Sequence, residues 1–347
     1  MRSTISSFED LSNELLYEIF DYLDYADLHE TFASLNSRFN HLIVRSSLPI
    51  KLKFSFLSKA TFEYQCQRIL LPNIHRIRSI YLSQQLPIEY FSTYYSFQSS
   101  YIRLEALTLD HFKWDTLLVI LPTLISLPRL FSLTLISMDQ YQPRTAIYSS
   151  LLCLSVLKYC KLSWITSTSH SSSSFDTAEI SPLEHLILDT KCHLDDIIEF
   201  LHHTPHLRRL SCQLSTSNSS LSEIFIVPQN LTHISLQFED TSFDEFEWFI
   251  SSFARQLRVL QVSAKHDLEF LNAHRWQRLI SEQMPSLERF LFEYRTREDL
   301  SDERYHPLMD KFNASFWSDR QWFFTHQHYR TRDLQNWIRL YSTRPYR

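Results

Sequence analysis

The side chains best equipped for chemistry in this chain of 347 residues are its imidazoles and thiols, 16 histidines and five cysteines. His202, His203 and His206 form a dense histidine group. They straddle Pro205 at the end of a predicted helix, and they lack the helical His-Glu-x-x-His spacing or the companion cysteines of a zinc site. They read as a polar helix terminus, where an imidazole complements the helix dipole. Cys192 beside His193 invites a nucleophile-and-base reading, but nucleophile, base and orienting group must meet in space, and no spacing here implies that meeting. Glycine is absent altogether. Phosphate-cradling loops, dinucleotide turns and nucleophile elbows all need a residue without Cβ, so three large enzyme classes lose their signature. The expectation is a protein that is not an enzyme, with no catalytic residue, no metal site and no cofactor, whose helix ends rely on Asn, Ser or Pro.

The elements that would carry any function are bounded by composition. With 44% apolar and 14% aromatic residues the chain can bury a large core, and its length exceeds the ~250–300 residues at which single cores stop growing. Two domains or a repeat array are expected. The net charge of −5 gives no footprint for a phosphate backbone, so nucleic acid is not an expected partner. Cys66, Cys153, Cys160, Cys192 and Cys212 are scattered and odd in number, which points to a reduced compartment. No apolar signal core opens the sequence, and the longest greasy stretch, TLLVILPTLISL, is broken by Pro122 and too short to span a bilayer. An intracellular protein, cytoplasmic or nuclear and without a membrane anchor, is the resulting expectation.

Residues 11–23, LSNELLYEIFDYL, place Leu15, Leu16, Ile19, Phe20 and Leu23 at helical spacing. That stripe is wider than one packing contact in a three-turn helix requires, so part of it is expected to await another chain. Ser12 is a candidate N-cap, the helix is expected to run to about Leu23, and Asp24 with Asp27 opens a second helix carrying Leu28, Phe32 and Leu35 inward. A third helix from Ser37 brings Phe39, Leu42 and Ile43 to close a small bundle. The segment LSNELLYEIFDYLDYADLHETFASLNSRFNHL, roughly residues 8–44, resembles the F-box, by which substrate receptors dock on the Skp-type adaptor of cullin-RING ubiquitin ligases. Leu11, Glu14, Leu15, Leu16, Ile19, Phe20, Leu23, Asp27, Leu28, Arg38, Phe39 and Leu42 carry the likeness. Two departures stand out: Leu-Ser replaces the usual Leu-Pro, and the spacing from Asp27 to Phe39 is one residue longer than the commonest form. The resemblance implies adaptor docking through Leu11, Ser12, Leu15, Leu16, Ile19, Phe20, Leu23 and Leu28, some of which must also hold the bundle together. A plain amphipathic hairpin capping the next domain is the competing reading.

Beyond Ile50 the pattern becomes strand and helix in alternation. An L-x-x-L-x-L pattern, other apolar residues allowed, starts at Ile77, Leu104, Leu130, Leu151, Leu183, Leu207, Leu231, Leu257 and Leu287, at intervals of 21 to 32 residues. This recurrence resembles the longer, irregular leucine-rich repeats, which implies parallel strands on a concave face and helices on a convex face, over about residues 75–295. The asparagine or cysteine ladder of regular repeats is missing, and an irregular α/β domain is the alternative. WITSTSHSSSSFD, residues 164–176, is too polar to pack and reads as a loop.

After Arg295 the chain turns strongly aromatic and reads as a cap over the last repeat, with Trp317, Trp322, Phe324 and Arg330 as candidates for a recognition patch instead. The sequence therefore predicts an α/β protein in three parts: a three-helix module over 1–48, a leucine-rich-repeat solenoid over 49–295 and an aromatic-rich cap over 296–347. Its expected role is a non-catalytic receptor that joins an adaptor, and through it a cullin, to a target protein. A repeat scaffold acting outside any ligase is the alternative.

Overall fold

The computed structural model describes residues 8–44, 48–55, 58–139, 144–164, 180–215, 228–297, 305–331 and 335–343. They fall into two compact units divided after Asp139. Residues 165–179, which include most of the serine-rich stretch, lie outside the described set.

The first unit opens with three short helices, α1 (Asn13–Phe20), α2 (Tyr25–Phe32) and α3 (Ser37–Val44). Each starts where a side chain satisfies a free backbone N–H. Ser12 Oγ accepts from Leu15, an Asp24 carboxylate oxygen accepts from Ala26 at 2.8 Å, and Asn36 Oδ1 accepts from Phe39 at 2.9 Å. Helix α1 ends at Phe20 rather than Leu23. The N–H groups of Tyr22 and Leu23 bond three residues back, to Ile19 and Phe20, which tightens the last turn before Asp24 caps the next helix. Leu28, Phe39, Leu42 and Ile43 are buried as expected, whereas Leu35 is 55% exposed in the turn after α2.

The unit continues as β1 (Ile50–Phe54), α4 (Lys59–Gln65), β2 (Ile77–Ser83), α5 (Gln85–Tyr94), β3 (Ala106–Asp110), α6 (Trp114–Leu124) and β4 (Ser132–Ser137). The four strands pair in chain order and in parallel. Their register aligns the buried rows Leu52, Ile80, Leu107, Leu133 and Phe54, Leu82, Leu109, Leu135. Pro122 sits in the last turn of α6, and no helix among the described residues is long and apolar enough to cross a membrane.

The second unit holds α7 (Arg144–Leu152), β5 (Tyr159–Trp164), β6 (His185–His193), α8 (Leu194–His203), β7 (Arg209–Ser215), β8 (His233–Phe238), α9 (Phe243–Ser251), β9 (Val259–Lys265), α10 (Ala273–Gln283) and β10 (Arg289–Arg297), then α11 (Tyr305–Asp310), α12 (Ser315–Ser318), β11 (Phe323–Arg330) and β12 (Asn336–Thr343). Strands β5 to β10 are parallel and in chain order; β12 then pairs antiparallel with β10 and β11 antiparallel with β12. Buried rows again cross the strands, Cys160, Leu186, Leu210, Ile234, Leu260, Phe290 and Leu162, Leu188, Cys212, Leu236, Val262, Phe292. Such a row buries each strand against its neighbours, a burial that no strand-helix unit achieves alone.

The structure corrects one of the strand leads read from the sequence. Leu151 lies in α7, and the strand that follows is led by Leu157, fully buried two residues ahead of β5. Starts at Leu130, Leu157 and Leu183 are spaced by 27 and 26 residues, in place of the irregular pair read from the sequence. A backbone device recurs at these leads. One carbonyl accepts from two successive N–H groups of the next lead: Lys158 from Glu184 and His185, Glu184 from Arg208 and Arg209, Arg208 from Thr232 and His233.

A chain without glycine still needs left-handed turns. Among the described residues they fall at Gln84, His111, His266 and Gln321 (φ 58 to 77°). The first three directly follow β2, β3 and lie one residue past β9, where a strand must turn sharply toward the covering segment. Each such residue costs about 1–2 kcal/mol relative to a right-handed conformation.

Candidate functional site

The surplus apolar stripe of α1 divides by face. Leu16, Phe20 and Leu28 are buried, at 0, 5 and 4% exposure, while Leu15, Ile19 and Leu23 remain 48, 36 and 39% exposed. Of the eight residues offered as a docking set, six therefore fall into two groups and two lie at the start of the helix. Leu16, Phe20 and Leu28 belong to the bundle core, Leu15, Ile19 and Leu23 form an outward apolar ridge, Ser12 is exposed as an N-cap and Leu11 is half-buried beside it. Tyr22, 90% exposed, extends the ridge.

What holds the ridge outward is the packing behind it. Phe8, Phe20, Phe32 and Phe39 form a ring cluster with centroids 5.6 to 6.4 Å apart. Arg38 of α3 clasps the lead into α1: its guanidinium donates to the carbonyls of Glu9 and Leu11 and, at 3.0 and 2.8 Å, to Asn13 Oδ1. At the other end Arg76 donates to the carbonyls of Ile43, Val44 and Leu48 and lies over the Tyr25 ring, while the Tyr25 hydroxyl donates to the Ile43 carbonyl. Lys51 Nζ donates to the Asp21 carbonyl and pairs with its carboxylate at 2.8 Å. Between these latches a groove of about 640 Å³ opens beside Tyr17, Phe20, Leu23, Tyr25, Leu28 and Leu48. Burial pushes the Asp24 carboxyl up, partly offset by the Ala26 N–H it accepts from.

Residues 8–51 match the model of the F-box domain family. No curated protein matches the chain. The F-box domain so matched spans the three helices and reaches into β1, and all of the outward ridge lies within it.

The other candidate residues divide less favourably for binding. Trp317 and Trp322 are buried, at 1 and 8% exposure, and pack with Phe290, Phe312 and Phe324 at ring separations of 5.1 to 6.4 Å. They are core, not a contact patch; Phe324 is half-buried in the same cluster. Arg330 is exposed at the end of β11. The polar strand face instead carries ion pairs that no short motif announces. Glu239 bridges Lys191 and Lys265, which hold its carboxyl below the usual range. Burial pushes the Glu293 carboxyl up, and Arg295 and Arg339 outweigh it.

Burial pushes Cys66 and Cys160 up to about 12 and Cys212 well above its ordinary value. Cys192 is buried in β6 with its sulfur 3.5 Å from the Thr190 carbonyl. His202 and His203 sit at the end of α8 within 3.9 and 3.4 Å of Glu199.

Proposed function

We propose that this chain is a non-catalytic substrate-recognition subunit of an SCF-type ubiquitin ligase. The F-box domain docks on a Skp-type adaptor, and the strand-and-helix body, read as an irregular leucine-rich-repeat array, holds a target protein. The observation that carries this reading is the outward ridge Leu15, Ile19 and Leu23 standing on a bundle whose core, Leu16, Phe20, Leu28, Phe39, Leu42 and Ile43, is buried without it. Large apolar side chains left in water on a small, well-packed module mark a partner surface. Catalysis is by proximity: holding a target near a charged ubiquitin carrier raises its effective concentration to roughly the millimolar range for short linkages. The chain's own part is the two binding events.

Target recognition is assigned to the polar strand face of the second unit, where Lys161, Asp189, Lys191, Gln213 and Lys265 alternate with buried neighbours and Glu239 follows β8 directly. Charged side chains in such a row give specificity and association rate more than raw affinity. The test is affinity purification of the tagged full-length chain from cells, with the adaptor and a cullin sought by mass spectrometry. Both are expected at near-stoichiometric yield. Recovery of target proteins with neither would favour the scaffold reading instead.

A further inference from the structure

Three histidines from two separate elements converge on the outer face of the second unit. His326 and His328 are two residues apart on β11, on the same side as Phe324, and His306 comes from α11. Their ring centroids are 5.1 to 6.0 Å apart, and one nitrogen from each can be chosen so that all three lie within 4.8 Å of one another. All three side chains are exposed.

We infer that His306, His326 and His328 form a three-imidazole site for a borderline divalent cation, zinc above all. Imidazole nitrogen is a zinc donor at about 2.0–2.1 Å, and a tetrahedral ion brings its donors to about 3.4 Å apart, so the observed spacing needs only small rotamer adjustments. The donors stand on rigid supports. His326 and His328 pair with Leu340 and Ile338 of β12, both 1% exposed, and His306 is flanked in α11 by buried Tyr305 and Met309. Three neutral nitrogen donors without a carboxylate or thiolate suit zinc, copper or nickel rather than calcium or magnesium, and leave a fourth position for water. A bound ion would tie α11 to β11, the outermost strand of its sheet.

The test uses full-length protein carrying no polyhistidine tag, stripped with chelator and titrated with zinc chloride against a chromophoric competitor, then with cobalt for its visible spectrum. One equivalent of zinc is expected to bind, with a tetrahedral cobalt spectrum. His326→Asn plus His328→Asn should weaken binding by more than about 100-fold and His306→Asn by more than about tenfold, since removing even an outer-shell partner of a metal ligand costs about 10–100-fold. His202→Asn plus His203→Asn should leave binding unchanged. Because the three residues are exposed, the variants should keep the wild-type circular dichroism. A zinc-dependent rise in the unfolding midpoint, absent from the triple variant that carries His306→Asn, His326→Asn and His328→Asn together, supplies a second readout that needs no spectroscopic probe. Equal zinc affinity in wild type and the triple variant would overturn the inference. So would a cobalt spectrum that the His306 substitution leaves untouched.

Discussion

Replacing Leu15 and Ile19 together by Arg separates the two faces of α1 in one experiment. Full burial of a Leu or Ile side chain stabilises by about 1.5–3 kcal/mol, so covering the 48 and 36% still exposed is worth roughly 1 kcal/mol at each position. Losing both costs about 2 kcal/mol before the added charges are counted, which is about 30-fold in Kd. Two guanidiniums forced into a desolvated interface raise that figure further. The bundle itself should tolerate the change, because an Arg stem can lie along the helix with its head in water, and surface substitutions usually cost less than about 1 kcal/mol. Leu16→Ala is the contrasting perturbation. That side chain is fully buried, and its truncation should cost about 2–5 kcal/mol of stability. The assay is calorimetric titration of each full-length variant with a purified Skp-type adaptor, paired with urea unfolding. The expected result is adaptor binding lost with unfolding unchanged for the Arg pair, and unfolding shifted for Leu16→Ala. Adaptor affinity within about threefold of wild type for the Arg pair would refute the assignment of the ridge as docking surface.

Trp276 is fully buried against Phe243, Phe246, Phe290 and Phe292 and donates its indole N–H to the Phe270 carbonyl at 2.8 Å, so Trp276→Ala should destabilise the second unit by about 3–5 kcal/mol in denaturant melts. Gln84→Gly should stabilise the first unit by up to about 1 kcal/mol, since relief of its positive φ exceeds the entropy that glycine adds to the unfolded chain; a lower midpoint would show that side-chain contacts outweigh the strain. The Glu184, Glu239 and Glu293 carboxyls are all held below their ordinary values by cationic partners, so their stabilisation is complete above about pH 5 and lost as pH falls through the folded-state values. Glu239→Gln should therefore cost stability at pH 7 and progressively less in acid, and a constant gap between variant and wild type would contradict the pairing. Four of the five cysteines are buried, so a thiol reagent under native conditions should modify at most Cys153, the others reacting only on denaturation.

The sequence carried the local part of this architecture well. Ser12 and Asp24 cap the first two helices and the third begins at Ser37, because capping and apolar spacing are short-range effects, and the L-x-x-L-x-L recurrence located the strands because alternating burial is written in neighbouring residues. The one misplaced start, Leu151, shows the limit: in a leucine-rich stretch a helical Leu and a strand-leading Leu look alike until a helix claims the first. Left-handed turns at Gln84, His111 and His266 had no sequence mark, because they follow from how a strand must bend to cover its neighbour.

What the sequence by itself determined is that α1 has more apolar surface than its own bundle can use, since a helix of fixed pitch cannot point Leu15, Leu16, Ile19 and Phe20 in one direction. Which of them point out was decided only by the tertiary structure, where the Phe8, Phe32 and Phe39 rings and the Arg38 clasp fill the inner side and leave Leu15, Ile19 and Leu23 to water. The same holds at the far end. Aromatic density forecast a packed terminus, but the burial of Trp317 and Trp322 and the meeting of His306 with His326 and His328 depend on how α11, α12 and β11 fold back on β10. Contacts between residues twenty or more apart are fixed by packing, and no local pattern encodes them.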